Sequence, residues 1–175
     1  MTIDPRGAVQ SGLGALEQLE MKVPGFKGYK EKELRRQSDR LLREALTRQY
    51  QDQKNRIGEA ESALLAAGQI SGMSRLETAN LKLNLFIDHL KTGASGYAGL
   101  FDAIKIKEPQ LDRVYVFDQQ LAAGVEKLKG IIDQIGTMSA QGTDPGPIVN
   151  GLVAAVEELN MTWLHRVDAM QGLAA

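Results

Sequence analysis

Between residues 111 and 135 apolar side chains return every three or four positions, as Leu111, Val114, Phe117, Leu121, Val125, Leu128, Ile131 and Ile135. At 3.6 residues per turn they form one stripe along a helix, and a stripe this long needs other elements to cover it. The question for the fold is therefore what supplies the cover.

Three further stripes answer it. Asp144 and Pro145 read as an N-cap and first turn, and after them Ile148, Leu152, Val156, Leu159, Trp163, Val167 and Met170 keep the same spacing. Ser74 and Glu77 have capping-box spacing and introduce Leu76, Leu83, Phe86, Ile87 and Leu90. Upstream, Leu34, Leu41, Ala45, Ile57, Ala60 and Leu64 mark a stripe that begins at Tyr29 and closes at Gly68. That helix would measure roughly 57 Å at 1.5 Å per residue, with Gly58 the expected place for a kink.

A weaker signal precedes them. Pro5 follows Asp4 as a first helical position, and Val9, Leu13, Leu16, Leu19 and Val23 share one side. Gly7, Gly12 and Gly14 each cost about 1 kcal/mol against Ala in a helix interior, so this helix needs close packing to persist. The spacing thus predicts helices over about 5–23, 29–67, 74–92, 109–135 and 145–171. Residues 93–107 read as an irregular, apolar loop.

The expected fold class is all-α: an antiparallel up-and-down bundle of four long helices with a shorter N-terminal helix, in one domain over 1–175. Composition agrees, since aromatic residues make up 5% of the 175 residues and Leu, Ala, Glu, Lys, Arg and Gln abound. The chain has no Cys, which excludes a disulfide framework, thiolate metal sites and cysteine nucleophiles and suits a cytoplasmic location. Residues 1–14 lack an apolar signal-like segment, and no run approaches the length of a membrane span, so the expectation is neither secretion nor insertion.

Chemistry-bearing motifs are sparse. The histidines are His89 and His165. His89 follows Asp88 directly, a spacing that points the two apart on a helix, whereas Glu158, His165 and Asp168 fall roughly on one face as a weak polar cluster. Its alternatives are a metal or acid–base site and a histidine merely paired with a carboxylate. The Glu-x-x-His pairs of a di-iron bundle are absent, because Phe86 and Thr162 stand three residues before the histidines. Neither a phosphate loop nor a dinucleotide fingerprint occurs. No catalytic residue, metal ligand or cofactor is assigned.

Charge is unevenly spread: residues 27–56 hold ten Lys and Arg against five Asp and Glu, although the net charge is −1. The acid-first pairs Glu31/Arg35, Asp39/Arg43, Glu44/Arg48 and Asp52/Arg56 have the i,i+4 spacing that neutralises a solvated helix, so a nucleic-acid partner is disfavoured. Up-and-down packing would bring two lysine-rich, apolar segments to one end. One contributes Lys22, Phe26, Lys27, Tyr29 and Lys30; the other contributes Tyr97, Phe101, Lys105 and Lys107. Such a tip fits contact with a protein partner, self-association, or an anionic membrane surface, and equally the plain closing of a core end. The expected function is a non-enzymatic protein-protein interaction or scaffold module acting through the hairpin of the first two helices and the 91–107 loop. A peripheral binder of anionic membranes is the alternative.

Overall fold

A computed structural model describes residues 31–97 and 108–171, with side chains over 39–93 and 113–171. Four helices account for them: α1 Glu31–Ala66, α2 Met73–Tyr97, α3 Glu108–Ala140 and α4 Gly146–Gln171; no strand occurs among the described residues. The helix expected over 5–23 lies outside them. The chain divides into two compact units, Met1–Leu42 and Arg43–Ala175, and the packing below belongs to the second.

Within that unit the buried side chains keep a heptad rhythm. On α4 they fall at Val149, Leu152, Val156, Leu159, Trp163, Arg166 and Met170; on α2 at Leu76, Ala79, Leu83, Phe86 and Leu90. α3 contributes Leu121, Val125, Leu128, Ile132 and Ile135, and α1 contributes Arg43, Leu46, Tyr50, Gln53, Ile57 and Leu64. Steps of three and four average 3.5 residues, the spacing that keeps one seam facing its neighbours when helices cross at a shallow angle of about 20°. Each fully buried Leu or Ile on such a seam contributes about 1.5–3 kcal/mol relative to exposure.

The expected stripes hold for α2, whose Leu76, Leu83, Phe86, Ile87 and Leu90 are all buried. On α1 the expectation is out of phase. Leu41 and Ala45 are exposed, while the polar Arg43 and Gln53 occupy core columns beside Leu46 and Tyr50. On α3, Ile132 rather than Ile131 is fully packed, and on α4 Ile148 and Val167 are only half-buried.

Helix ends differ too. α2 runs through residues 93–97, which were expected as loop, and α3 passes Gly136 to stop at Ala140. α1 likewise passes through Gly58 without interruption. The stops are Gly68, as expected, and Gly142, both left-handed, at φ 68° and 69°. Each closes a helix with paired bonds: Gln69 N–H donates to Leu64 C=O and Gly68 N–H to Leu65 C=O, and Thr143 and Gly142 do the same to Met138 and Ser139. The Ser74/Glu77 capping box is not formed, because Gly72 C=O already accepts from Arg75 and Leu76 N–H and Ser74 lies inside the first turn. The Asp144 cap is present, Oδ1 accepting from Gly146 N–H at 3.0 Å.

Tyr50 joins α1 to α2 and α3. Its ring meets Phe86 of α2 edge-on at 4.9 Å, and its hydroxyl donates to Leu121 C=O of α3. Gly124 makes room for that hydroxyl: a Cβ there would stand 2.6 Å from Tyr50 Oη and inside contact distance of Leu159 Cδ2 on α4. Complete burial raises the Tyr50 phenol far above its ordinary pKa and keeps it a neutral donor.

Candidate contact surface

Polar side chains in this unit bridge helices. Arg166 is 2% exposed in the α4 core column; its Nε donates to Asp118 Oδ1 of α3 at 2.5 Å, and its guanidinium lies 5.4 Å from the Trp163 ring centre. Arg43 sends Nη1 to Leu90 C=O of α2 at 3.0 Å. Arg56 bonds Gln53 on its own helix and Asp133 on α3, so the expected Asp52/Arg56 pair does not form. Lys54 donates to Asn84 of α2 at 2.6 Å.

The expected polar cluster is placed but not assembled. Glu158 pairs with Lys127 of α3, the His165 ring lies 6.2 Å from that of Phe117, and Asp168 is half-buried; no hydrogen bond or ion pair joins the three. Glu158 and His165 are seven residues apart, about 10.5 Å along the axis, so sharing a column does not bring them together. Among the described residues no group of three or more His, Asp or Glu stands close enough to hold a metal ion. Half-buried His89 leaves Nδ1 buried and without a hydrogen-bond partner.

Lys22, Phe26, Lys27, Tyr29, Lys30, Phe101, Lys105 and Lys107 lie outside the described residues; Tyr97 is the last residue of α2, with its side chain outside them. The juxtaposition of segments 22–30 and 91–107 lies outside them too.

What the described unit does carry is an apolar surface where α2 and α4 adjoin. Arg75 bonds Asn150 and Lys82 bonds Glu157, so the two helices advance together, seven residues for seven. Asn160 Nδ2 also reaches Lys82 C=O. Leu85 stands one turn beyond Lys82; Met161 and Leu164 stand one and two turns beyond Glu157. Leu81 at 67%, Leu85 at 53%, Met161 at 51% and Leu164 at 49% are exposed large apolar side chains on these adjoining helices. Scattered single apolar residues are ordinary on a surface, but adjoining ones that flank a charged pair make a patch. Buried stripes alone do not mark this patch; Leu81 and Leu85, off the α2 stripe at i,i+4, are its available signal in the sequence.

No helix among the described residues is long and apolar enough to cross a membrane. The chain matches no protein-family model, no curated protein and no solved structure.

Proposed function

We propose that this chain is a non-enzymatic protein-interaction module, a helical bundle that engages another polypeptide through the outer side of α2 and α4. The observation that carries the reading is the adjoining set Leu81, Leu85, Met161 and Leu164, solvent-facing beside the Lys82–Glu157 bridge. A folded unit that already has a continuous heptad core gains nothing in stability from these four; burying them against a partner removes apolar surface from water. Alternating helix directions complete the reading. Arg43 with Leu90 and Lys54 with Asn84 pair rising with falling numbers between α1 and α2, and Asp118 with Arg166 and Lys127 with Glu158 do so between α3 and α4.

The test is site-specific photo-crosslinking in cells producing the full chain, with the reactive residue at Leu85 and, as a control, at the exposed polar Gln120 of α3. The proposal expects adducts of defined mass at position 85 and none at 120. No adduct at 85, or the same smear at both, overturns it. Co-sedimentation with anionic liposomes tests the membrane alternative, which requires binding that falls with salt.

A further inference from the structure

We infer that the partner on the α2/α4 surface is a second copy of this chain, related by a two-fold axis parallel to the helices, so that α2 of each copy lies on α4 of the other. The inference rests on the contact-surface reading and names its partner.

Charge selects this arrangement. Lys82 Nζ and Glu157 Oε1 are 2.6 Å apart and so define one height along the bundle. A two-fold axis along the helices preserves height and exchanges sides, bringing Lys82 of each copy opposite Glu157 of the other. The four charges then alternate in sign around the axis. A two-fold axis across the helices at this height would instead set α2 on α2 and α4 on α4, bringing Lys82 and Glu157 each against its own image, where like charges oppose contact.

The apolar side chains fit the same operation. Leu85 lies three residues, about 4.5 Å, beyond Lys82, and Met161 four residues, about 6 Å, beyond Glu157. Leu85 of one copy therefore arrives almost level with Met161 of the second, with Leu164 one turn further, and symmetry repeats the contact. Two helices side by side present a strip about 20 Å wide, and residues 75–92 run about 26 Å, so the pair covers about 1,000 Å² in total. That area is at the lower bound for a specific interface and fits a weak, reversible dimer.

Sedimentation equilibrium of the full chain tests the pairing with charge reversals. Both residues are half-exposed, and a surface ion pair contributes little to folding, so Lys82→Glu and Glu157→Lys keep their circular dichroism. Wild type is expected to show a concentration-dependent dimer, and each reversal to weaken it by about tenfold or more. Mixing the two variants in equal amounts restores association, because Lys82 and the introduced lysine of one chain face the introduced glutamate and Glu157 of the other. A wild type monomeric up to about 0.5 mM overturns the inference, as does association indifferent to both reversals or a mixture no tighter than its components. A monomeric wild type that still gives a position-85 adduct of another mass defeats self-pairing and leaves the contact-surface reading standing; loss of that adduct defeats both.

Discussion

Replacing Gly124 by Ala would normally stabilise a helix by about 1 kcal/mol, and here it should do the opposite. The new methyl group would stand 2.6 Å from Tyr50 Oη and press on Leu159 Cδ2. Leu159 can turn its branched end aside. The hydroxyl cannot move without giving up its bond to Leu121 C=O. Overpacking of this kind costs about 1–3 kcal/mol, so after the propensity gain Gly124→Ala is expected to lose about 1 kcal/mol. Tyr50→Phe removes the hydroxyl and its hydrogen bond, a loss of about 1 kcal/mol; Leu121 C=O keeps its helical partner.

Combined, the two changes should compensate, because the methyl group enters the space the hydroxyl leaves. The double variant is expected to be about 1 kcal/mol more stable than the sum of the single effects, a coupling well beyond the usual additivity error of about 0.3–0.5 kcal/mol. Urea unfolding followed by Trp163 fluorescence measures this directly, since Trp163 is the only tryptophan and is buried in the same unit. Effects that add within about 0.3 kcal/mol, or a Gly124→Ala variant more stable than wild type, would refute the notch.

Other substitutions probe other layers. Asp118→Asn withdraws the carboxylate from buried Arg166 and should cost about 3 kcal/mol, lowering Tm by about 6–12 °C in thermal scans. Gly68→Ala forces a side chain into a left-handed turn with open space around it, so its cost of about 1 kcal/mol is pure backbone strain, read as a lower urea midpoint at constant m. Glu61 has its carboxyl raised above the ordinary 4.5, first by burial and then by neighbouring Glu77. The folded state therefore holds that proton more tightly than the unfolded chain, and its contribution is fully present below about pH 4.5 and lost as pH rises through the raised value. Glu61→Gln should remove this decline, so urea midpoints measured from pH 3.5 to 7 converge with wild type at the acid end and exceed it at pH 7.

The helices were legible because covered stripes leave a strong periodic signal, and Leu83, Phe86, Leu128, Leu152 and Trp163 were each read correctly as core. The α1 stripe was out of phase because aliphatic residues alone do not mark this seam, which accommodates Arg43 and Gln53 by giving their heads partners: Leu90 C=O for Arg43 and Arg56 for Gln53. Arg166 was hidden for the same reason, although its place three residues after Trp163 and four before Met170 put it on the stripe. Gly68 was read correctly as a stop, but residues 93–97 and Gly136 were misread and stay helical, and the other left-handed helix stop falls at Gly142. The contact surface left only the faint signal of Leu81 and Leu85, because an exposed Leu stands out only once the buried ones have been assigned.

The proposed interaction requires the outer side of α2 and α4 to be covered when the protein works. Hydroxyl-radical footprinting of Met161, performed on dilute purified chain and again inside cells, reads that cover at a half-exposed, readily oxidised side chain. Fast labelling in dilute solution and protection in cells, with unchanged labelling of Tyr115 on α3, is the predicted pattern. Equal labelling of Met161 in both settings would mean that the surface stays bare and that this protein meets its partners elsewhere.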